Sequence, residues 1–512
     1  MRILNNSGNI EVGATNLNYL KTVQYKKPEF KKEIIYQYGA LKNFPLVEYV
    51  FGTSAFYTAN MGQSRSNNTM MRSADSLAWA VMPNFQNKCL LTDSTAFIAT
   101  TANNTAHALV FDANGGWMQP NDIIMMPIAN GYYQKFFLTS AGVASGTPTV
   151  YTYQAKLISS DSATVFAAPL YGDGATYVSV VGNGSSDVST QGSLTPTQPA
   201  DIYENFTTKF KQQLKISSSE AKSSIWYVGD NGSAPMWVTQ KEDNYRTVVT
   251  RKLETMAWYG TRTYQTVAGN FYSVNTPYLT NAAGETIRQG DGVFAQIETG
   301  FTVTMSIATY TNPLNYNSAI TVIQNQITDW RIINGITGDI ELMAWIGEKG
   351  YAWWQTAFKA YADQSGGGIS LEMVDSKDGR IIKLKTAGYN FGGTTIHLKK
   401  CSTFDNPQIQ TNYVSGSTDI SMESYQFVLM PASMVNGMPT IEAMFFGGQG
   451  FDTGFNEILI PGTLDPTVAG GVSSKVASGT GDVFDGYQIQ TFTDIMFNVP
   501  NPKMLLWFKW IP

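Results

Sequence analysis

Between Ile202 and Gly260 a strictly alternating stretch runs straight into the most charge-dense helical pattern of the chain. Phe206, Phe210, Leu214 and Ile216 fall on one parity, and Thr207, Lys209, Lys211, Gln213 and Lys215 on the other. A period of two places those sets on opposite faces of a strand. Beyond a turn-rich tip the chain returns through Ile225-Trp226-Tyr227-Val228 and breaks at Gly229-Asp230-Asn231-Gly232. A helical pattern follows, in which Tyr245, Val248, Val249, Leu253 and Met256 recur at three- and four-residue spacing among Lys241, Glu242, Asp243, Arg246, Arg251, Lys252 and Glu254. The expected shape is an extended hairpin feeding a long helix. Two strands alone bury too little surface to be stable in water. Such an arm needs a surface from elsewhere, most simply a neighbouring copy, and this predicts an assembly subunit.

At 512 residues the chain exceeds one ordinary core, so about two to four structural units are expected. Charged residues make up 14%, against about 25% in an average protein. Asn, Gln, Thr, Ser and Gly take their place and suit uncharged faces closed by hydrogen bonds. Tyr 27, Phe 27 and Trp 11 fit either buried interfaces or an aromatic β core. A net charge of −5 argues against an electrostatic grip on nucleic acid. Cys89 and Cys401 are far apart, which excludes a disulfide framework and indicates two buried thiols in a reducing compartment. The start, Met1 to Asn6, lacks the apolar run of a signal peptide, and no stretch approaches the ~20 apolar residues of a membrane span. Synthesis and folding in cytosol are expected.

Along the chain, Lys21, Lys26, Lys27, Lys31 and Lys32 cluster between Tyr25 and Tyr36, as an arm across neighbours or as a solvated terminus. A short helix is expected from Pro45 to Phe56. From about Phe85 to Gly182 short strands alternate with turns: Ala108–Phe111, Asp122–Met126, Lys135–Leu138, Thr149–Ile158 and Ala163–Phe166. That spacing predicts a compact β-barrel or sandwich. A Gly/Ser/Thr/Pro-rich linker follows to Pro199. Beyond Gly260 the pattern is α+β. Asn312-Pro313 opens a helix with Ala319, Val322, Ile323, Ile327 and Trp330 on one side. A strand spans Ile340–Trp345, and an aromatic helix runs from about Gly350 to Tyr361. A hairpin turns at Asp378-Gly379, with Ile369, Leu371, Met373, Ile382 and Leu384 facing inward. Further strands are expected at Tyr425–Met430, Ile495–Val499 and Lys503–Ile511.

Catalytic signals are weak. His107 and His397 fall in different expected units without ligands at metal spacing. Gly447-Gly448-Gln449-Gly450 has the wrong spacing for a dinucleotide fingerprint. Glu341, Glu372 and Asp375 are the most explicit carboxylates for a hydrolase, but spacing does not oppose any two of them. Trp117 and Tyr132-Tyr133 suit sugar stacking and fit barrel core and rim better. No enzyme, cofactor or metal is expected.

The order of these segments resembles the major capsid protein of tailed double-stranded-DNA bacteriophages, whose fold is named after phage Hong Kong 97. Lys21 to Tyr36 matches that family's N-terminal arm, Phe206 to Val238 its extended loop, and Gln240 to Tyr259 its spine helix, closing at Trp258-Tyr259-Gly260. Ala319 to Tyr361 with the following hairpin resembles the peripheral-to-axial region, and Phe492 to Lys509 the closing strand. The low-charge, Asn- and Tyr-rich style is similar to crAss-like gut phages. The resemblance implies an α+β Hong Kong 97-like fold with an inserted all-β domain. Its divisions would be an arm and short helix (1–84), the β-domain (85–182), a linker (183–200), extended loop and spine helix (201–262), a peripheral domain (263–335), an axial domain (336–435) and C-terminal loops and return strands (436–512). It implies inter-subunit contacts at Phe206, Phe210, Leu214, Ile216, Trp226 and Trp237, along the spine helix at Tyr245, Arg246, Arg251, Met256 and Trp258, and at the axis through Leu371, Asp378, Gly379 and Leu384. The implied partners are the chain itself as hexamers and pentamers, portal, scaffold and auxiliary or head-fibre proteins, and packaged double-stranded DNA by non-specific proximity, with no membrane. The implied location is the virion shell after synthesis in the host cytoplasm. The competing reading is a tail or fibre adhesin holding carbohydrate on the β-domain.

Overall fold

The computed structural model describes residues 33–35, 44–51, 69–72, 76–82, 88–98, 105–128, 131–158, 166–184, 200–218, 226–228, 237–265, 276–277, 279–364, 372–376, 379–383, 388–391, 393–405, 412–413, 420–432, 439–448, 451–452, 456–464 and 485–511. The class is α+β, in two compact units: 82–201, and 1–81 with 202–512.

The larger unit holds two mixed six-stranded sheets and four main helices over one core. In the first sheet Gly486–Asn498 is central, and its burial alternates from Tyr487 to Ile495, as period two requires. Thr208–Ser217 pairs antiparallel with it through ten residue pairs, from Thr208 opposite Ile495 to Ser217 opposite Gly486. On its other side lie Glu442–Gly448 and Asn456–Pro461, and Thr69–Arg72 adds to Glu442–Gly448 in parallel. The second sheet runs Thr302–Ser306, Leu506–Ile511, Phe427–Pro431, Ile340–Ile346, Thr394–Lys400, Gly388–Phe391. Phe427–Pro431 is buried at all five positions, as a strand covered on both faces must be.

The long helix Trp237–Tyr259 turns Tyr245, Val249, Leu253 and Ala257 inward, four residues apart. It stops where Gly260 lets the backbone pass: a Cβ there would stand 2.6 Å from the Met256 carbonyl oxygen. Tyr316–Ile333 follows a 3₁₀ turn at Pro313–Asn315, which the Asn312 side chain caps. Its buried side holds Ala319, Ile320, Ile323, Ile327 and Trp330, with Val322 half-buried. The aromatic helix is Glu348–Gln364, and its Trp354 packs edge-on against Phe427.

The expected hairpin is corrected. Thr208–Ser217 does alternate as predicted, but its partner is Gly486–Asn498 of the same chain. The return segment Trp226–Val228 pairs in parallel with Glu33–Ile35. Alternation specifies which face is buried and carries no information on which strand lies alongside. The short helix is Pro45–Phe51, and 52–56 lie outside the described residues. The Gly379 hairpin pairs Ser376 with Gly379 and Met373 with Ile382, so Gly379 lies in its second strand rather than in the turn as expected.

In the unit 82–201 six antiparallel strands close on themselves: His107–Phe111, Lys88–Asp93, Tyr177–Asn183, Asp122–Pro127, Tyr133–Leu138 and Val150–Ile158, which returns to pair with His107–Phe111. Val143–Ser145 adds to Val150–Ile158. Leu91, Leu109, Phe111, Ile124, Met126, Phe136, Leu138, Tyr153 and Val178 fill the interior. Lys88–Asp93, Val143–Ser145 and Tyr177–Asn183 were not expected as strands, because Ser, Thr and Asp dilute their patterns. Of the expected Ala163–Phe166 only Phe166 is described, and of the linker 185–199 lie outside the described residues.

Candidate assembly surfaces

The residues expected at inter-subunit contacts divide by burial. Phe206, Ile216, Tyr245 and Trp258 are buried in the chain's own core. Phe210, Leu214 and Met256 are half-buried against it. Within the chain, Tyr245 is covered by the strands Thr208–Ser217 and Gly486–Asn498, and Trp258 by the rings of Phe294, Trp345 and Phe404. The Tyr245 hydroxyl lies 2.8 Å from both the Gln212 carbonyl and Thr491 Oγ1, joining the helix to both strands of the pair. Arg246 meets Glu457 at 2.7 Å, Arg251 is half-buried, and the Lys252 ammonium donates to Gln212 Oε1 at 2.8 Å. Trp226 sits in the strand paired to Glu33–Ile35 and Trp237 begins the long helix; their side chains, with Leu371, Asp378 and Leu384, lie outside the described residues. Gly379 opens the second strand of its hairpin.

The opposite face of Thr208–Ser217 is the surface left open. Lys209, Lys211, Gln213 and Lys215 are exposed, opposite Asp494, Phe492, Gln490 and Gln488 of the central strand. Ile458, 45% exposed, stands beyond Gln490. A shallow groove of about 620 Å³ is lined by Lys209, Lys211, Gln213, Gln490, Phe492 and Asp494. Burial raises the Asp494 carboxyl, while Lys209, Arg288 and Lys211 pull it back. This is a basic, amide-rich face with apolar side chains along its middle, on a chain of net charge −5.

Five two-stranded ribbons lie outside the larger sheets and have no third strand among the described residues: Glu33–Ile35 with Trp226–Val228, Ser76–Val81 with Asp201–Phe206, Tyr264–Gln265 with Thr276–Pro277, Glu372–Ser376 with Gly379–Lys383, and Asn412–Tyr413 with Ile420–Ser421. Ribbons of two strands are marginal in water unless something packs on them.

Two joints between distant segments, the first of them buried, have partners without a signature in the sequence. Glu254 is fully buried on the long helix. It accepts from the Leu46 and Val47 amides at 3.0 and 2.7 Å, from Trp258 Nε1 at 3.0 Å and from the Thr403 hydroxyl at 3.3 Å. Its carboxylate thus caps the helix Pro45–Phe51 from another element. Burial pushes its pKa up to about 7 against those four donors. Likewise Asp405 accepts the Glu348 amide at 2.9 and 3.0 Å at the start of Glu348–Gln364, and Ser424 donates to the same carboxylate. One clue was legible: Glu254 falls on the buried arc with Thr250, Leu253 and Ala257. Partners 149 to 208 residues away were not.

Burial pushes the Cys89 thiol up to about 12 and Cys401 well above its usual range, so both stay protonated and inert. His397 Nε2 lies 3.8 Å from Glu341, in a different unit from His107. Among the described residues no three His, Cys, Asp or Glu side chains are grouped to hold a metal, and no helix is long and apolar enough to cross a membrane. Trp117 is half-buried against the barrel core.

No protein-family model matches the chain, and no curated protein matches it. The solved structures it resembles are mostly phage capsids. The capsid of cyanophage P-SCSP1u is 9% identical over 64% of this chain and 80% of its own, with a TM-score of 0.31. The capsid of Myoviridae phage XM1 is 11% identical over 64% and 81%, at 0.31. The holo-SrpI encapsulin complex from Synechococcus elongatus PCC 7942 is 8% identical over 60% and 77%, at 0.27. At such identities and scores, the functional reading rests on the residues of this chain.

Proposed function

We propose that this chain is the repeating subunit of a self-assembled protein shell, specifically the major capsid protein of a tailed phage, with the barrel unit as an inserted domain. The observation that carries the reading is the set of five two-stranded ribbons lacking a third strand among the described residues, on a chain that also presents the Lys209–Lys211–Lys215 sheet face. A monomer gains little from such elements, whereas a lattice covers each with a neighbour. Obligate contacts commonly bury about 2,000 Å² or more in total, a scale that several ribbons and a sheet face share among several neighbours. Hexamers and pentamers enclosing a genome, with portal and scaffold partners, follow from the phage reading, and the role of the chain is assembly rather than catalysis.

The test is electron microscopy with sedimentation of the chain expressed alone and beside a candidate scaffold. Closed shells, tubes or isolated capsomers are expected. Replacing the ribbon 372–383 by a short Gly-Ser linker should abolish them and leave a folded, soluble chain. A persistent monomer under every condition, or normal particle yield without the ribbon, would sink the proposal or this contact respectively.

A further inference from the structure

The barrel satisfies its own interior, so its outward side needs no aromatic residue. Yet Tyr132, Tyr133, Tyr171 and Tyr177 are 73%, 60%, 71% and 55% exposed. The backbone segments that carry them meet around Pro127. Tyr133 pairs with Pro127 directly. The Leu170 amide, next to Tyr171, donates to the Pro127 carbonyl at 3.0 Å. Tyr177 and Pro127 each lie two residues beyond the Ser179–Met125 pair. Tyr132 accepts the Ile128 amide at 2.9 Å through its carbonyl.

The turns that present these rings are braced. Gly131, Gly172 and Gly174 adopt φ of +76°, +78° and +81°, a conformation that favours glycine. Thr176 Oγ1 accepts the Tyr171 amide at 3.2 Å and donates to the Gly172 carbonyl at 2.9 Å. The Gly174 amide donates to the Leu91 carbonyl at 2.8 Å. The Asp173 carboxylate accepts from the Ser94 amide and hydroxyl at 3.0 and 2.8 Å. Rings on rigid turns cost little entropy when something stacks on them.

We infer that this end of the barrel is a carbohydrate-binding platform, a function separate from shell formation. Each ring offers on the order of 100–150 Å², so the cluster totals roughly 500 Å². That falls short of the ~800 Å² per partner of a standard protein interface. It suits a few hexose rings, whose C–H faces stack on the tyrosines while their hydroxyls bond the phenols. Asp173 is engaged with Ser94, the Lys88 ammonium lies over the Tyr177 ring at 5.1 Å from its centroid and leaves Tyr133 and Tyr171 as the main stacking faces, and Lys135 is exposed, so sugars bearing carboxylates are accommodated beside neutral ones.

The test uses the full chain on an array of immobilised neutral glucans, galactans and mannans, N-acetylglucosamine polymers and uronic-acid polysaccharides. The wild-type chain should bind at least one class. Tyr133→Ala with Tyr171→Ala should weaken that binding about tenfold or more, a loss of about 1.4 kcal/mol. Tyr133→Phe with Tyr171→Phe should keep most of it, because the stacking face survives. Thermal melting of both variants should match wild type, since these rings are exposed. No binding to any class by the wild-type chain, or equal binding by the double alanine variant, overturns the inference. Loss of particles in the alanine variant with sugar binding intact overturns it too, and makes the platform a subunit contact. Because binding is read on the unassembled chain, failure of the shell reading leaves this test standing.

Discussion

Glu254 offers the sharpest test of how this chain holds itself together. Replacing it by alanine leaves three buried N–H groups, those of Leu46, Val47 and Trp258, without their acceptor, while the Thr403 hydroxyl can rotate elsewhere. Each unsatisfied buried donor costs about 1–3 kcal/mol, so Glu254→Ala should lose roughly 3–9 kcal/mol. That is a large share of an ordinary stability of about 5–15 kcal/mol. Of the 11 tryptophans only Trp117 falls within 82–201, so tryptophan fluorescence in urea reports chiefly on the larger unit. The midpoint should drop, and amides 46 and 47 should lose protection from hydrogen exchange. The acid also sets a pH dependence. Burial raises the folded-state value from 4.5 to about 7, so the folded chain holds this proton more tightly than the unfolded one. Stability should therefore fall by roughly 3 kcal/mol as pH rises from about 4.5 to about 7, then level off, and Glu254→Gln should remove that slope. A Glu254→Ala midpoint within about 1 kcal/mol of wild type at pH 6 would refute the cap. A slope that survives in Glu254→Gln would assign the titration to other groups.

Other outcomes follow from single contacts. Asp405→Ala removes the acceptor for the Glu348 amide and Ser424 and should cost about 1–2 kcal/mol by urea titration. A methyl group at Gly290 would lie 1.8 Å from the Phe206 carbonyl oxygen, so Gly290→Ala should cost about 2 kcal/mol or more and lower soluble yield. Arg246→Ala breaks a half-exposed pair with Glu457 and should change stability by less than about 1 kcal/mol, a small effect that added salt reduces further. Cys89 and Cys401 should resist iodoacetamide at pH 8 until denaturant is added; prompt labelling of either in the folded chain would contradict their burial.

Local pattern accounted for much of this fold. The alternation at 208–217, the buried arcs of the helices 237–259 and 316–333, and the hairpin around Gly379 were legible because dihedral geometry fixes which residues share a face. The strands 107–111, 122–127, 133–138 and 150–158 were legible for the same reason. Tertiary structure alone decided the rest. It seated Thr208–Ser217 beside Gly486–Asn498, closed the barrel through the pairing of 107–111 with 151–155, and brought Glu254 under Leu46 and Val47. It also left four tyrosines outside a barrel that could have buried them. Bringing distant segments together costs entropy that grows only as the logarithm of their separation. A strand can therefore take a partner hundreds of residues away for little more than one nearby, and packing makes the choice: period two names the buried face, and only the assembled core names what covers it.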